Sequence, residues 1–367
     1  MGNLSGRHLM APDGGRQVPW FSFVVHLRSH SDLDRWSTTA VMKGEEGEKW
    51  RDRVLRGPPL HASTFSFRST PVTGDLIVIP RLPEDIIFGD GPEMVARAVQ
   101  IAHARGARVV GLGGLTAPAT RGGMSLLPSL PAGLTLTNGN SFTAAVSRAN
   151  VLEACEFLGR SRPLVAILGS TGSVGVAASQ MLAEDGVDLL LIGRSTERAR
   201  KAGPAGGQIR YSGRISDVSE ADVVLTLTSG GTAQLSPDHF DGSRERVIVD
   251  VAQPSNIAID DRETFHRRRT RVVRGGWVQM PEPISSHRHE SVMTDGEPAA
   301  PPGSAPACLA ETCLFATEGI RQHSAGPGSA ELAHMLNRIA ARRGVRVCPL
   351  PLEAATSDSF QADAARA

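Results

Sequence analysis

The stretch PACLAETCLFATEG, residues 306–319, holds two of the chain's four cysteines five positions apart. A thiolate attacks acyl carbons, and a thiol in the first turn of a helix faces free backbone N–H groups that favour ionisation. The prolines and glycine of PAAPPGSAP predict a helix start near Pro306 or Ala307, since proline is tolerated in a first turn. On that helix Leu309, Cys313, Ala316 and Ile320 share one stripe, so Cys313 is expected in the core. Cys308 lies off the stripe in the first turn, where a lowered pKa is expected. A charged Glu311, three residues on, would oppose it. Position alone leaves Cys308 open as nucleophile or as structural thiol.

The second chemical signal is LVAILGSTGSVGVAASQML (164–182), an apolar run, a glycine turn and a helix of small residues. Gly169, Gly172 and Gly175 stand where a phosphate-binding loop needs a sharp turn, close approach of a pyrophosphate, and tight helix–strand packing. Ser170, Thr171 and Ser173 add hydroxyls to the backbone N–H groups around Val174. A second apolar run, DLLLIG, follows at the expected distance and ends in Gly193, Arg194 and Ser195, with Arg198 one turn on. An acidic residue there would accept from a ribose 2′-hydroxyl. Guanidinium groups suit a 2′-phosphate instead, which predicts NADPH. Thr228, Gly275 and Gly276 are the further cofactor-binding candidates.

These elements need a frame. A chain of 367 residues with 40% apolar and 21% charged residues is an ordinary globular sequence of two or three domains. Its formal charge of +1 gives no overall pull towards nucleic acid or anionic lipid. Four scattered cysteines offer neither a disulfide scaffold nor a zinc spacing, and read as a reducing, cytoplasmic compartment. Residues 1–19 lack an apolar signal core and are expected to be a flexible extension. WFSFVVHLRS (20–29), GDLIVIPRL (74–82) and RVVGLGGLTA (108–117), with a helix over 91–107, predict an α/β domain spanning 20–148. FTAAVSRANVLEACEFLGRS (142–161) predicts a connecting helix, with Cys155 on its apolar side. Short apolar runs alternating with polar pieces then predict a doubly wound parallel sheet over 149–280. A loop over 281–306, a helical segment over 307–350 and a tail over 351–367 complete the expected order.

Laid out in this order, the chain resembles the acyl-(acyl carrier protein) reductases best known from cyanobacteria. The resemblance runs from about residue 20 to 350. It rests on FSFVVHLRS, GARVVGLGGLTA, LTNGNSFTAA, the glycine loop, VIVDVAQP, VVRGGWV and CLAETCLFATEG. It implies an α/β substrate domain, a Rossmann domain and C-terminal helices returning to the substrate cleft. It also implies that Cys308 carries the acyl group as a thioester, that NADPH reduces it to an aldehyde, and that the substrate arrives on acyl carrier protein or CoA. The family usually has a histidine where this chain has Phe142, and an acid and a histidine where it has Gln279 and Met280. That leaves Thr137, Asn140 and Glu311 as candidate acids, and points to a carrier-tethered intermediate of a specialised biosynthetic pathway.

HRRRTRVVR (266–274) concentrates five arginines in nine residues, a docking patch for an acidic carrier protein or a solvated turn. Two other readings keep the fold and change the chemistry. One is an NADP-dependent alcohol or imine oxidoreductase with Cys308 merely structural. The other is a non-catalytic homologue binding nucleotide and carrier protein.

Overall fold

The computed structural model describes residues 20–35, 49–67, 72–204, 208–228, 235–253, 255–286 and 303–352. The expected extension, most of the expected loop and nearly all of the expected tail lie outside them.

The fold is α/β. Its first half builds a sheet from β1 (Trp20–His26), β2 (Leu60–Ser66), β3 (Thr73–Ile79), β4 (Val109–Leu112) and β5 (Thr135–Thr137). Strands β3, β1, β4 and β5 run parallel in that order, and β2 lies antiparallel beside β3. In β1, alternate side chains serve opposite faces: Phe21, Phe23 and Val25 face one core and Val24 the other. Both faces are covered, which is why the run reads as continuously apolar. The helix Gly91–Ala104 covers one face through Met94, Val95, Ala98 and Val99. The other is covered from the far end of the chain, by the cysteine helix (Ala307–Glu318) and the helix Ala330–Arg342.

The connecting helix (Asn140–Leu158) leads into the second sheet and contains the expected 148/149 boundary. That sheet comprises β6 (Leu164–Leu168), β7 (Asp188–Ile192), β8 (Ile209–Ser212), β9 (Val223–Thr226), β10 (Arg246–Asp250) and β11 (Thr270–Arg274). All are parallel, in the order β11-β10-β9-β6-β7-β8. The chain winds outward from β6 to β8, then crosses to β9 and winds the other way. This is the Rossmann order, with its switch point between β6 and β9. The ends of the expected loop are ordered as β13 (Ser285–Ser286), paired with β2, and β14 (Ser304–Pro306). A small antiparallel sheet joins β14, β12 (Trp277–Gln279) and β15 (Arg346–Val347). Among the described residues no helix is long and apolar enough to cross a membrane.

One buried carboxylate pins the amino edge of the first sheet. Asp75 on β3 is fully buried and accepts hydrogen bonds from Thr64 Oγ1 (2.9 Å), Trp20 Nε1 (3.1 Å) and Arg105 Nε (2.8 Å). His61 Nε2 lies 2.9 Å from Asp75 Oδ1, the oxygen that also accepts from Thr64. Burial pushes its pKa up, but the hydrogen bonds from His61 and Arg105 outweigh this and hold it at about 2. A folded-state pKa below the unfolded value stabilises above the unfolded pKa, and the contribution is lost as pH falls through the folded one. Urea unfolding is therefore expected to show stability declining between about pH 4 and pH 2. Asp75→Asn should remove that part of the slope and cost about 2 kcal/mol at neutral pH.

Candidate active site

The cysteine helix begins where the carboxyl edges of the two parallel sheets meet, the place where α/β folds bind ligands. On the Rossmann side Ala307 N donates to Gly276 O (2.9 Å), just beyond β11. Gly276 N in turn donates to Asn150 Oδ1 of the connecting helix (3.0 Å), and Gly275 N to Asp250 O (3.0 Å). On the other side Gly139, just beyond β5, packs directly on Cys308. A Cβ there would sit 2.2 Å from Cys308 Cβ, and its φ of +72° is one that glycine tolerates best. Gly275 and Gly276, expected at the cofactor, lie where the start of the cysteine helix is anchored.

The lowered thiol pKa expected from the sequence is not found. Burial pushes Cys308 up to about 12; the N–H groups of Leu309, Cys308 and Gly114 pull it down, and Glu311 adds an upward push. The helix start does act as expected, but loss of water around the sulfur outweighs it, although the residue as a whole is only half-buried. Cys313 is buried on the core stripe, as its spacing implies, and is pushed to about 12 by burial. Cys155 is also raised to about 12, by burial and then by Asp222.

Glu311 is fully buried with its oxygens engaged. Thr137 Oγ1 and Gly139 N donate to Oε1, the latter at 3.2 Å, and Phe142 N donates to Oε2 at 2.8 Å. The connecting helix starts at a glycine with no side-chain cap of its own, so a carboxylate from another helix supplies one. Burial raises the Glu311 pKa, with these hydrogen bonds opposing. Asn140 Nδ2 donates to Gly326 O (3.2 Å), and its backbone N–H to Asn138 Oδ1 (3.0 Å). Thr137, Asn140 and Glu311 are thus brought together beside Cys308, but as a framework rather than as free acids. Phe142 and Met280 are buried in the first core, while Gln279 is exposed and donates to Gly303 O.

The glycine loop forms as expected. Gly169 turns at φ +91°, Gly172 caps the helix Ser173–Glu184, and a Cβ on Gly175 would lie 2.3 Å from Gly169 O. Val174 packs against the core below, and Thr171 Cγ2 lies against Gly193. Ser173 O accepts from Gly328 N (2.9 Å), which ties the loop to the segment after the cysteine helix. Two buried polar groups in this region lack partners: Ser170 Oγ and Asn256 Nδ2. Thr228 Oγ1 donates to Asn256 Oδ1 (2.8 Å), which fixes that amide. Buried polar groups are nearly always paired, so two orphans beside a phosphate loop fit a dinucleotide that would pair them. Asn256 was not legible in the sequence, because only the fold brings it to Thr228. At the end of β7, Arg194 and Arg198 are exposed and form no ion pair recorded among the described residues. Ser195 spends its hydroxyl capping the helix Thr196–Ala202, accepting from Arg198 N (3.2 Å).

The arginine cluster is largely committed inward. Arg268 donates to Pro237 O and Phe240 O, Arg271 pairs with Glu245, and Arg274 pairs with buried Asp250 (3.0 Å).

No protein-family model matches the sequence. Among curated proteins it is 23% identical over 353 residues to the aminotransferase PigE of a Serratia species, covering 90% of this chain and 40% of that one. It is 25% identical over 153 residues to the glutamyl-tRNA reductase of Haloquadratum walsbyi, covering 37% of this chain and 34% of that one. The chain thus spans well under half the length of these curated relatives. Among solved structures, shikimate dehydrogenase from Aquifex aeolicus aligns with a TM-score of 0.36 and 11% identity, covering 70% of this chain and 86% of that one.

Iodoacetamide alkylation of Cys308, followed by mass spectrometry, is expected to rise about tenfold per pH unit from pH 7 to 10 without a plateau. A plateau near pH 8 would show a low-pKa thiol. Glu311→Gln removes a charge that raises the thiol pKa and weakens the helix cap. It should speed this alkylation while costing about 1–3 kcal/mol of stability.

Proposed function

We propose that this chain is an oxidoreductase that reduces an acyl thioester, carried on acyl carrier protein or CoA, to an aldehyde with NADPH. The observation that carries the reading is the placement of Cys308. Its sulfur lies at the junction of two carboxyl edges, one belonging to the phosphate-loop sheet, beneath backbone N–H groups from both its own helix and Gly114. The likeness to a glutamyl-tRNA reductase supports a reductase role.

The Cys308 sulfur attacks the acyl carbon. The Sγ–C bond forms, the bond to the carrier's pantetheine sulfur breaks, and the thiol proton passes to that leaving sulfur. The raised pKa keeps the resting thiol protonated and inert, so reactivity depends on a substrate that displaces water and is held in place. Gly169, Ser170, Thr171, Gly172, Ser173, Gly175, Thr228 and Asn256 would hold the dinucleotide, and Arg194 with Arg198 would receive a 2′-phosphate. NADPH bound there supplies the hydride that takes the Cys308 thioester to the aldehyde level. Glu311, Thr137 and Asn140 keep Gly139 against the nucleophile.

The raised thiol pKa is also the observation that favours a second reading, an NADP-dependent alcohol or imine oxidoreductase without a covalent intermediate. Intact-mass measurement after incubation with octanoyl-(acyl carrier protein) and with octanoyl-CoA separates the two. Acyl mass on the wild type and none on Cys308→Ala is expected. NADPH turnover retained by Cys308→Ala would overturn the covalent reading. Fluorescence titration tests the cofactor: Arg194→Glu with Arg198→Glu should weaken NADPH at least about tenfold and leave NADH nearly unchanged.

A further inference from the structure

His26 has no part in the chemistry above, yet it stands directly behind it. It closes β1 and is buried at 7% exposure, beside the Gly113–Gly114–Leu115 turn that ends β4. Its Nδ1 lies 2.6 Å from Leu27 O, an acceptor only, so Nδ1 carries the proton and Nε2 is left as an acceptor. Leu115 N donates to that Nε2 at 3.0 Å. The ring also rests on Gly114, whose φ is +58°: a Cβ there would lie 2.8 Å from Nε2. Burial lowers the His26 pKa to about 4, so the ring is neutral and keeps this tautomer at neutral pH. The rest of the turn is held by Gly113 N donating to Val24 O (2.8 Å) and Thr116 Oγ1 to Gly113 O (2.8 Å). The strand that leads into the turn lies against the cysteine helix: a Cβ on Gly111 would lie 2.0 Å from Thr312 Oγ1, one turn beyond Cys308. The Gly114 N–H is, with those of Leu309 and Cys308, one of the three that pull the Cys308 thiol pKa down.

We infer that the N–H groups of Gly114, Cys308 and Leu309 form an oxyanion hole for the thioester carbonyl, and that His26 is the positioning residue that aims Gly114. The inference rests on Cys308 as the acyl-carrying nucleophile. A hole built from the nucleophile's own helix start and from a second loop needs that loop fixed before the reaction. When Sγ bonds to the acyl carbon, the carbonyl π pair moves to oxygen, two bonds from the sulfur on which these N–H groups act. The C=O re-forms as the carrier sulfur leaves with the pair of the broken C–S bond and takes up the thiol proton. His26 touches neither substrate nor sulfur; it acts through the Leu115 N–H and the Gly114 backbone.

Three substitutions separate this role from packing. His26→Gln places an amide oxygen where Nε2 accepts from Leu115. His26→Asn keeps a donor for Leu27 O but loses that acceptor, and His26→Leu loses both. The measurement is single-turnover acylation of Cys308 by octanoyl-CoA, with NADPH affinity and the urea midpoint as checks on the fold. His26→Asn and His26→Leu are expected to lower the saturating acylation rate about 10²-fold, with half-saturation moved less than about threefold. His26→Gln should return to within about fivefold of the wild type. Wild-type acylation rates in His26→Leu, or a His26→Gln protein that binds NADPH normally but acylates as slowly as His26→Leu, would overturn the inference. If His26→Leu does not fold, the contrast between Gln and Asn decides. No acyl mass on wild-type Cys308 would instead fell the parent reading and this one with it.

Discussion

A carboxylate lent by one helix to another organises the cleft. Glu311 leaves the cysteine helix and fills the N-terminus of the connecting helix, accepting N–H bonds from Gly139 and Phe142 and the Thr137 hydroxyl. In water a glutamate at this position would add a few tenths of a kcal/mol; buried, it is an acceptor whose loss would leave several donors unpaired. Those bonds hold Gly139 against Cys308, so the cap contributes to the burial that raises the thiol pKa. The same bonds fix the segment from β5 into the connecting helix, which then runs to Asn150 and the Rossmann edge.

The thiol shows two local rules in competition. A helix start favours a thiolate, and burial disfavours it; both operate at Cys308, and burial wins. The outcome is a thiol that is protected from stray oxidants and alkylating agents by its own protonation. On the proposed reading, its reactivity would belong to the complex with substrate rather than to the free protein.

Much of the frame was legible before any coordinates. The glycine loop and β6 and β7 announced themselves because a continuously apolar strand, a glycine turn and a small-residue helix are all local signals. The stripe of Leu309, Cys313 and Ala316 likewise separated the two cysteines. β8 escaped notice because IRYS is an edge strand, half exposed and polar on one face. Of the apolar run VRVCPL (345–350), only Arg346–Val347 form a strand, since only those residues find a partner in β12. The sign of the Cys308 shift and the employment of Glu311 were not legible. Both depend on Gly139 and Phe142, more than 160 positions away in the chain. His26, Asn150 and Asn256 were hidden for the same reason: each is an unremarkable polar residue until the fold supplies its partner.

The bond from Ala307 N to Gly276 O carries a mechanical consequence. It fastens the residue before the nucleophile to the edge of one sheet, while Gly139 and Gly114 press it from the other. If the two halves rock to admit a bulky carrier and close again, the rotation is smallest at the point where they are riveted. Cys308 would then sit near the axle of that motion. Such a rotation would move the walls of the cleft more than it moves the sulfur relative to either half, as a pin keeps its place in a pair of tongs.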